Sequence, residues 1–141
     1  MQSGATTTVG PHCPGVGGMP SVNQLGPAIE EHVTVFNNFT LSSLIVEIYS
    51  QRVAGVSAGG YMDFIDPSST FPIGSCTRST NTTFIRVRCQ LTAGTTIAPQ
   101  MGAEAVSEIN IPNPAYVGTG DLYFITATCT NGSVTTISGV F

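Results

Sequence analysis

The chain has 141 residues, room for one ordinary domain, and carries eight acidic residues against four arginines and no lysine, a formal net charge of −4. Charged residues make up 9% of it, against about 25% in an average soluble domain; with no basic stripe to meet phosphate, contact with nucleic acid is not expected. Hydrophobic residues at 41% exclude a disordered tail, and the lack of any run of about 18 apolar residues argues against insertion into a membrane by a helix.

Composition also sets the fold class. The chain contains 19 Thr, 13 Ser, 16 Gly and 9 Pro, while the strong helix formers are scarce and β-branched residues plentiful, which points to an all-β protein. The first thirty residues show neither a basic n-region nor an apolar h-region, so no signal peptide is visible.

Residues 1–28 are punctuated by Gly10-Pro11, Pro14-Gly15, Gly17-Gly18, Met19-Pro20 and Gly26-Pro27. This density of turn formers predicts an extended arm or linker outside any sheet, followed by one domain over 29–141. Strand signals then come at short intervals. Val33 to Phe36 is β-branched and apolar, and Leu44 to Tyr49 is almost continuously apolar, as in a central strand buried on both faces. Tyr61 to Ile65 follows a glycine-rich interruption and is closed by Asp66-Pro67. From Phe84 to Leu91 the alternation is clean: Ile85, Val87, Cys89 and Leu91 share one face, Phe84, Arg86, Arg88 and Gln90 the other. Gln100 to Asn110 holds the only plausible helical turn, with Glu104 and Glu108 on its solvated side. The runs Leu122 to Thr130 and Ser133 to Phe141 flank Asn131-Gly132, which predicts a two-residue type I′ hairpin pairing Cys129 with Val134. Seven or eight short strands of this kind form a single antiparallel β-sandwich. Lacking the tryptophan of the immunoglobulin pattern, the chain is expected to be jelly-roll-like.

Few residues offer chemistry. The cysteines stand at 13, 76, 89 and 129. Cys76 and Cys89 flank a polar turn and can be bridged by a disulfide, whereas no Cys/His cluster suits zinc. Asp63 and Asp66, at i and i+3, are the candidate ligands for a calcium ion, the only cofactor the sequence admits. His32 starts a strand with no nucleophile-elbow motif near it, so the protein is expected not to be an enzyme. Arg86 and Arg88, side by side on the outer face of their strand, are candidates for binding a carboxylate or an acidic loop; Arg78, Thr80 and Asn81 on the neighbouring loop tip extend that candidate site.

The Gly/Pro-rich arm over 1–28, the Thr-rich sandwich and the terminal hairpin from Gly120-Asp121-Leu122-Tyr123 through Thr130-Asn131-Gly132-Ser133 together resemble the projecting or shell β-domains of small non-enveloped virus capsids. Capsid proteins that package RNA carry a Lys/Arg-rich arm and this chain has none, so the resemblance implies a projecting, host-facing domain. It implies a non-enzymatic structural or attachment role at a virion surface or in an extracellular setting. It further implies a homo-oligomer and contact with a host receptor or glycan, with the tips at 77–83 and 57–60 as contact points. Two other readings fit the residues: a secreted or cell-surface β-sandwich that binds a glycan or a protein, and a pilus or filament subunit completed by a neighbour's N-terminal strand.

Overall fold

The computed structural model describes residues 5–9, 13, 15–25, 28–51, 56–65, 73–81, 83–110 and 120–141. Among them there are ten strands and no helix: β1 (Ala5–Val9), β2 (Gly17–Leu25), β3 (Ala28–Phe36), β4 (Leu41–Gln51), β5 (Val56–Phe64), β6 (Gly74–Thr80), β7 (Phe84–Leu91), β8 (Ala103–Asn110), β9 (Leu122–Cys129) and β10 (Val134–Val140). They form two antiparallel sheets, six-stranded in the order β1-β10-β9-β4-β7-β6 and four-stranded in the order β2-β3-β8-β5. The sheets close on a main core, with a small second cluster of Ile29, Ile85 and Ile109. Val33, Val35, Met62, Ala103 and Ala105 of the smaller sheet meet Leu44, Val46, Ile48, Val87, Tyr123, Ile125 and Ala127 of the larger. Each large side chain buried there contributes about 1.5–3 kcal/mol.

The protein is thus an all-β antiparallel sandwich. Its strand order does not support the jelly-roll subclass. The smaller sheet follows the A-B-E-D order of an immunoglobulin-like sandwich and β10-β9-β4 follows G-F-C, with the β6–β7 hairpin inserted between the D- and E-equivalent strands and added beside β4. Tryptophan is a feature of antibody domains and not a requirement of this topology. Here Tyr123 fills the core, fully buried and edge-on to Phe141 at 5.7 Å.

Four local expectations are corrected. Within the arm expected over 1–28, β1 pairs with β10 and β2 pairs with β3, so both strands belong to the sheets. Pro20 does not prevent this, because β2 is an edge strand and an edge tolerates a missing N–H. Cys13, between the two strands, is held by Thr135: its N–H donates to Oγ1 at 3.0 Å and its carbonyl accepts from the same hydroxyl at 2.9 Å. The helical turn expected within 100–110 is instead β8, a central strand whose Ala103, Ala105, Ser107 and Ile109 point into the sandwich; pairing on both sides overrides weak helix propensity. In β4 one face is buried and the other, with Ile45, Glu47 and Tyr49, is only partly covered.

The last hairpin forms, but one residue out of the expected register. Val134 pairs with Thr128, and Gly132 N–H donates to the Cys129 carbonyl at 2.9 Å. Gly132 alone in the turn has positive φ, at 88°. Three residues therefore make the loop, a turn closed by one left-handed glycine in place of the two that type I′ demands. The slip matters because it turns Thr135 and Ile137 inward and leaves Val134 outside.

Candidate functional site

Outward residues of the four-stranded sheet form the face that differs most from an ordinary protein surface. Alternation places Glu30 and His32 of β3, Glu104 and Glu108 of β8, and Tyr61 and Asp63 of β5 on it. Register brings like charges opposite one another twice: Glu30 faces Glu108 across β3–β8, and Glu104 faces Asp63 across β8–β5. Directly opposed like charges destabilise a sheet. No arginine occupies these four strands, and among the described residues His32, between the two pairs, is the one basic side chain on the face. Its Nδ1 is hydrogen-bonded to Glu104 Oε1, while its Nε2 lies 3.4 Å from Glu30 Oε1 and 3.4 Å from Asn23 Nδ2. Burial, and then the charges of Glu30, Glu104, Asp63 and Glu108, push the Tyr61 phenol above its ordinary pKa. These four acids equal the whole formal charge of −4, because the other four acids of the chain are matched in number by the four arginines.

Apolar side chains extend the acidic field toward one end. Phe36 is 46% exposed and Tyr61 45%, and Met19 and Ile65 are exposed beside them. Gly102 makes room for this patch: with φ at 62° and a would-be Cβ 2.3 Å from Ile65 Cδ1, it lets the Ile65 side chain lie against the backbone there. The face therefore offers an apolar platform rimmed by carboxylates, a pattern suited to a cationic, partly apolar partner.

The outer face of the larger sheet carries a groove of about 380 Å³ lined by Glu47, Tyr49, Phe124, Thr126, Thr136 and Ser138 among others. Its groups are largely satisfied by one another. Arg86 Nη2 pairs with Glu47 Oε2 at 2.6 Å, the Tyr49 hydroxyl donates to the same oxygen at 3.2 Å, and Tyr49 packs edge-on against Phe84 at 6.0 Å and Phe124 at 5.5 Å. Arg88 donates to Gln90 Oε1 at 2.9 Å. The candidate pair Arg86 and Arg88 thus lies on this face with Arg86 bound into an ion pair. Arg78 and Thr80 sit on the exposed edge strand β6. Asn81 turns the chain into β7 by accepting from the N–H groups of Thr83 at 2.8 Å and Phe84 at 2.7 Å; this is the local use of a turn asparagine.

Of the calcium candidates, Asp63 accepts from the Phe64 N–H at 2.9 Å, and Asp66 lies outside the described residues. Among the described residues no group of three or more potential metal ligands comes together. Cys76 and Cys89 are register partners in β6 and β7 and are joined by a disulfide, and a second disulfide joins Cys13 to Cys129. That second bridge is missed by sequence reading because 116 positions separate its ends.

Inside the sandwich, Glu31 of β3 is fully buried with Asp121, which precedes β9. Ser50 Oγ donates to Glu31 Oε1, and the Gln51 N–H donates to Asp121 Oδ1 at 3.0 Å. Burial, and then the neighbouring Asp121, push the Glu31 carboxyl up to about 10. The neutral, protonated form of Glu31 is thereby favoured at neutral pH beside Asp121. Its Oε2 meets no hydrogen-bond partner among the described residues.

No family model matches the chain, and no curated protein matches it. Among solved structures it is similar to ACE19, the collagen-binding subdomain of the Enterococcus faecalis surface protein ACE, with a TM-score of 0.54, 12% identity, and coverage of 89% of this chain and 93% of that one. A DUF4466 family protein from Parabacteroides merdae aligns with a TM-score of 0.42 and 16% identity over 89% of this chain and 44% of that one. At these identities the likeness to ACE19 is one of fold. Nothing in these comparisons supports a capsid domain.

Proposed function

We propose that this chain is a non-enzymatic binding module that acts outside the cell or at its surface, and that it docks a cationic protein partner on the outer face of its four-stranded sheet. One observation carries the proposal. Four carboxylates equal to the whole net charge stand on that face in two directly opposed pairs, with no arginine on the four strands that carry them and no lysine anywhere in the chain. Such an arrangement costs stability in the free protein and is relieved when a partner's cations lie between the strands. Exposed Phe36, Tyr61, Met19 and Ile65 supply the apolar contact that a charged rim surrounds at protein interfaces. Two disulfides suit an oxidising compartment, and the fold is that of a surface-protein subdomain named for binding collagen. An extended matrix protein is accordingly the first partner to try.

The test is surface plasmon resonance of the full chain over immobilised collagen and a panel of basic matrix proteins, with Glu30→Gln/Glu108→Gln and Arg86→Gln variants alongside. Saturable binding that weakens with added salt, is lost in the glutamate variant and survives Arg86→Gln supports the reading. Binding that ignores the glutamates and fails with Arg86→Gln moves the site to the other sheet. No binding to any cationic protein removes the proposal.

A further inference from the structure

The two disulfides differ in what surrounds their sulfurs. Cys13 and Cys129 are 1% and 3% exposed, and Cys89 is fully buried. Cys76 is only partly buried and stands in the wall of a cleft of about 340 Å³ lined by Gly59, Gly60, Thr77, Arg78 and Val87 as well. The cleft lies where edge strand β5 of one sheet meets edge strand β6 of the other. Gly60 keeps its wall free of a side chain: a Cβ there would fall 2.5 Å from the Val106 carbonyl and 2.7 Å from Val87 Cγ1.

We propose that Cys76 is a thiol-exchange site, at which a low-molecular-weight anionic thiol enters this cleft, forms a mixed disulfide with Cys76 and releases Cys89. The incoming thiolate attacks Cys76 Sγ and forms the new S–S bond. As the Cys76–Cys89 bond breaks, its electron pair passes to Cys89 Sγ, which takes a proton from water. One disulfide replaces another, and nothing beyond the thiol is consumed.

Three observations direct the reaction to this sulfur. Attack needs access, and of the four cysteine sulfurs only that of Cys76 belongs to a residue that is not buried. Arg78 lines the same cleft two residues further along β6, on the side of the strand that carries Cys76, and its charge favours an anionic thiol over a cationic one. Cys89 Sγ lies 3.9 Å from the Tyr61 carbonyl, so the thiol released into the core finds an acceptor. Exchange would leave β6 attached to β7 by its hydrogen-bond ladder alone, loosening the exposed edge of the larger sheet.

The experiment treats the oxidised full chain with glutathione or with cysteamine at equal thiolate concentration, traps free thiols with N-ethylmaleimide and maps the products by mass spectrometry. The expected product carries the thiol on Cys76 and maleimide on Cys89, with Cys13–Cys129 intact. Glutathione is expected to react severalfold faster than cysteamine, a preference that Arg78→Gln abolishes. An adduct on Cys89, opening of Cys13–Cys129 at an equal or greater rate, or no reaction while the protein is folded would each overturn the proposal. Equal rates for the two thiols in the unsubstituted protein would remove Arg78 from it.

Discussion

Removing the Cys13–Cys129 bridge is expected to cost more than removing Cys76–Cys89, although both sit in the same sandwich. The bridges close loops of very different length, with separations of 116 and 13 residues. If a bridge acts by restricting the unfolded chain, these lengths correspond to about 5 kcal/mol and about 3 kcal/mol at 25 °C. Replacing each pair by alanines in separate variants, and following urea unfolding with the disulfide state checked by mass spectrometry, gives both numbers directly. The Cys13→Ala/Cys129→Ala protein should lose about 2 kcal/mol more than Cys76→Ala/Cys89→Ala. For a domain of this size that difference is roughly 4–8 °C in Tm. Part of the larger loss is offset by Thr135, which still holds the backbone at position 13 through two hydrogen bonds. Equal losses, or a larger loss from the short loop, would refute the chain-entropy reasoning and place the stabilisation in local packing around Cys89.

Other outcomes follow from the same structure. Because Glu31 binds a proton in the folded state that it releases in the unfolded one, stability should be greatest below pH 4.5 as far as this group is concerned, and should fall as pH rises toward about 10; Tm measured across that window should flatten in Glu31→Gln. Neutralising one member of an opposed acid pair, as in Glu108→Gln, should raise stability by about 0.2–1 kcal/mol while weakening the cationic partner, a combination readable by denaturant titration beside the binding assay. Asn81→Ala should lower stability by about 1 kcal/mol by removing the acceptor for two backbone N–H groups, with no change in partner affinity.

Much of the larger sheet was legible residue by residue. The alternation from Phe84 to Leu91 coincides with β7, and the two runs around Asn131-Gly132 are β9 and β10. These segments declare themselves because one face of each is buried and the other is not. The N-terminal strands were hidden by their glycines and prolines, which also suit an edge strand, and β8 was hidden by alanine and glutamate, whose helix preference yields to pairing with two neighbours. The hairpin register turned on a single conformation, at Asn131, which lacks the positive φ that the expected turn required. The acidic face was legible only in fragments. Glu30 and His32, Tyr61 and Asp63, and Glu104 and Glu108 each recur at even spacing, so each set shares a face of any strand it occupies. What joins them is register between strands some 70 positions apart in places, such as His32 with Val106, and no local pattern encodes that.

Which face receives the partner decides whether the acidic sheet is the binding surface. Two-dimensional NMR of the isotope-labelled chain, titrated with an extended lysine- and arginine-rich peptide, locates it. Amide shifts centred on Glu30, Tyr61, Asp63, Glu104 and Glu108, and fading as salt is raised, are the expected result. Shifts confined to the groove around Tyr49 and Phe124, or none at low salt, would contradict it.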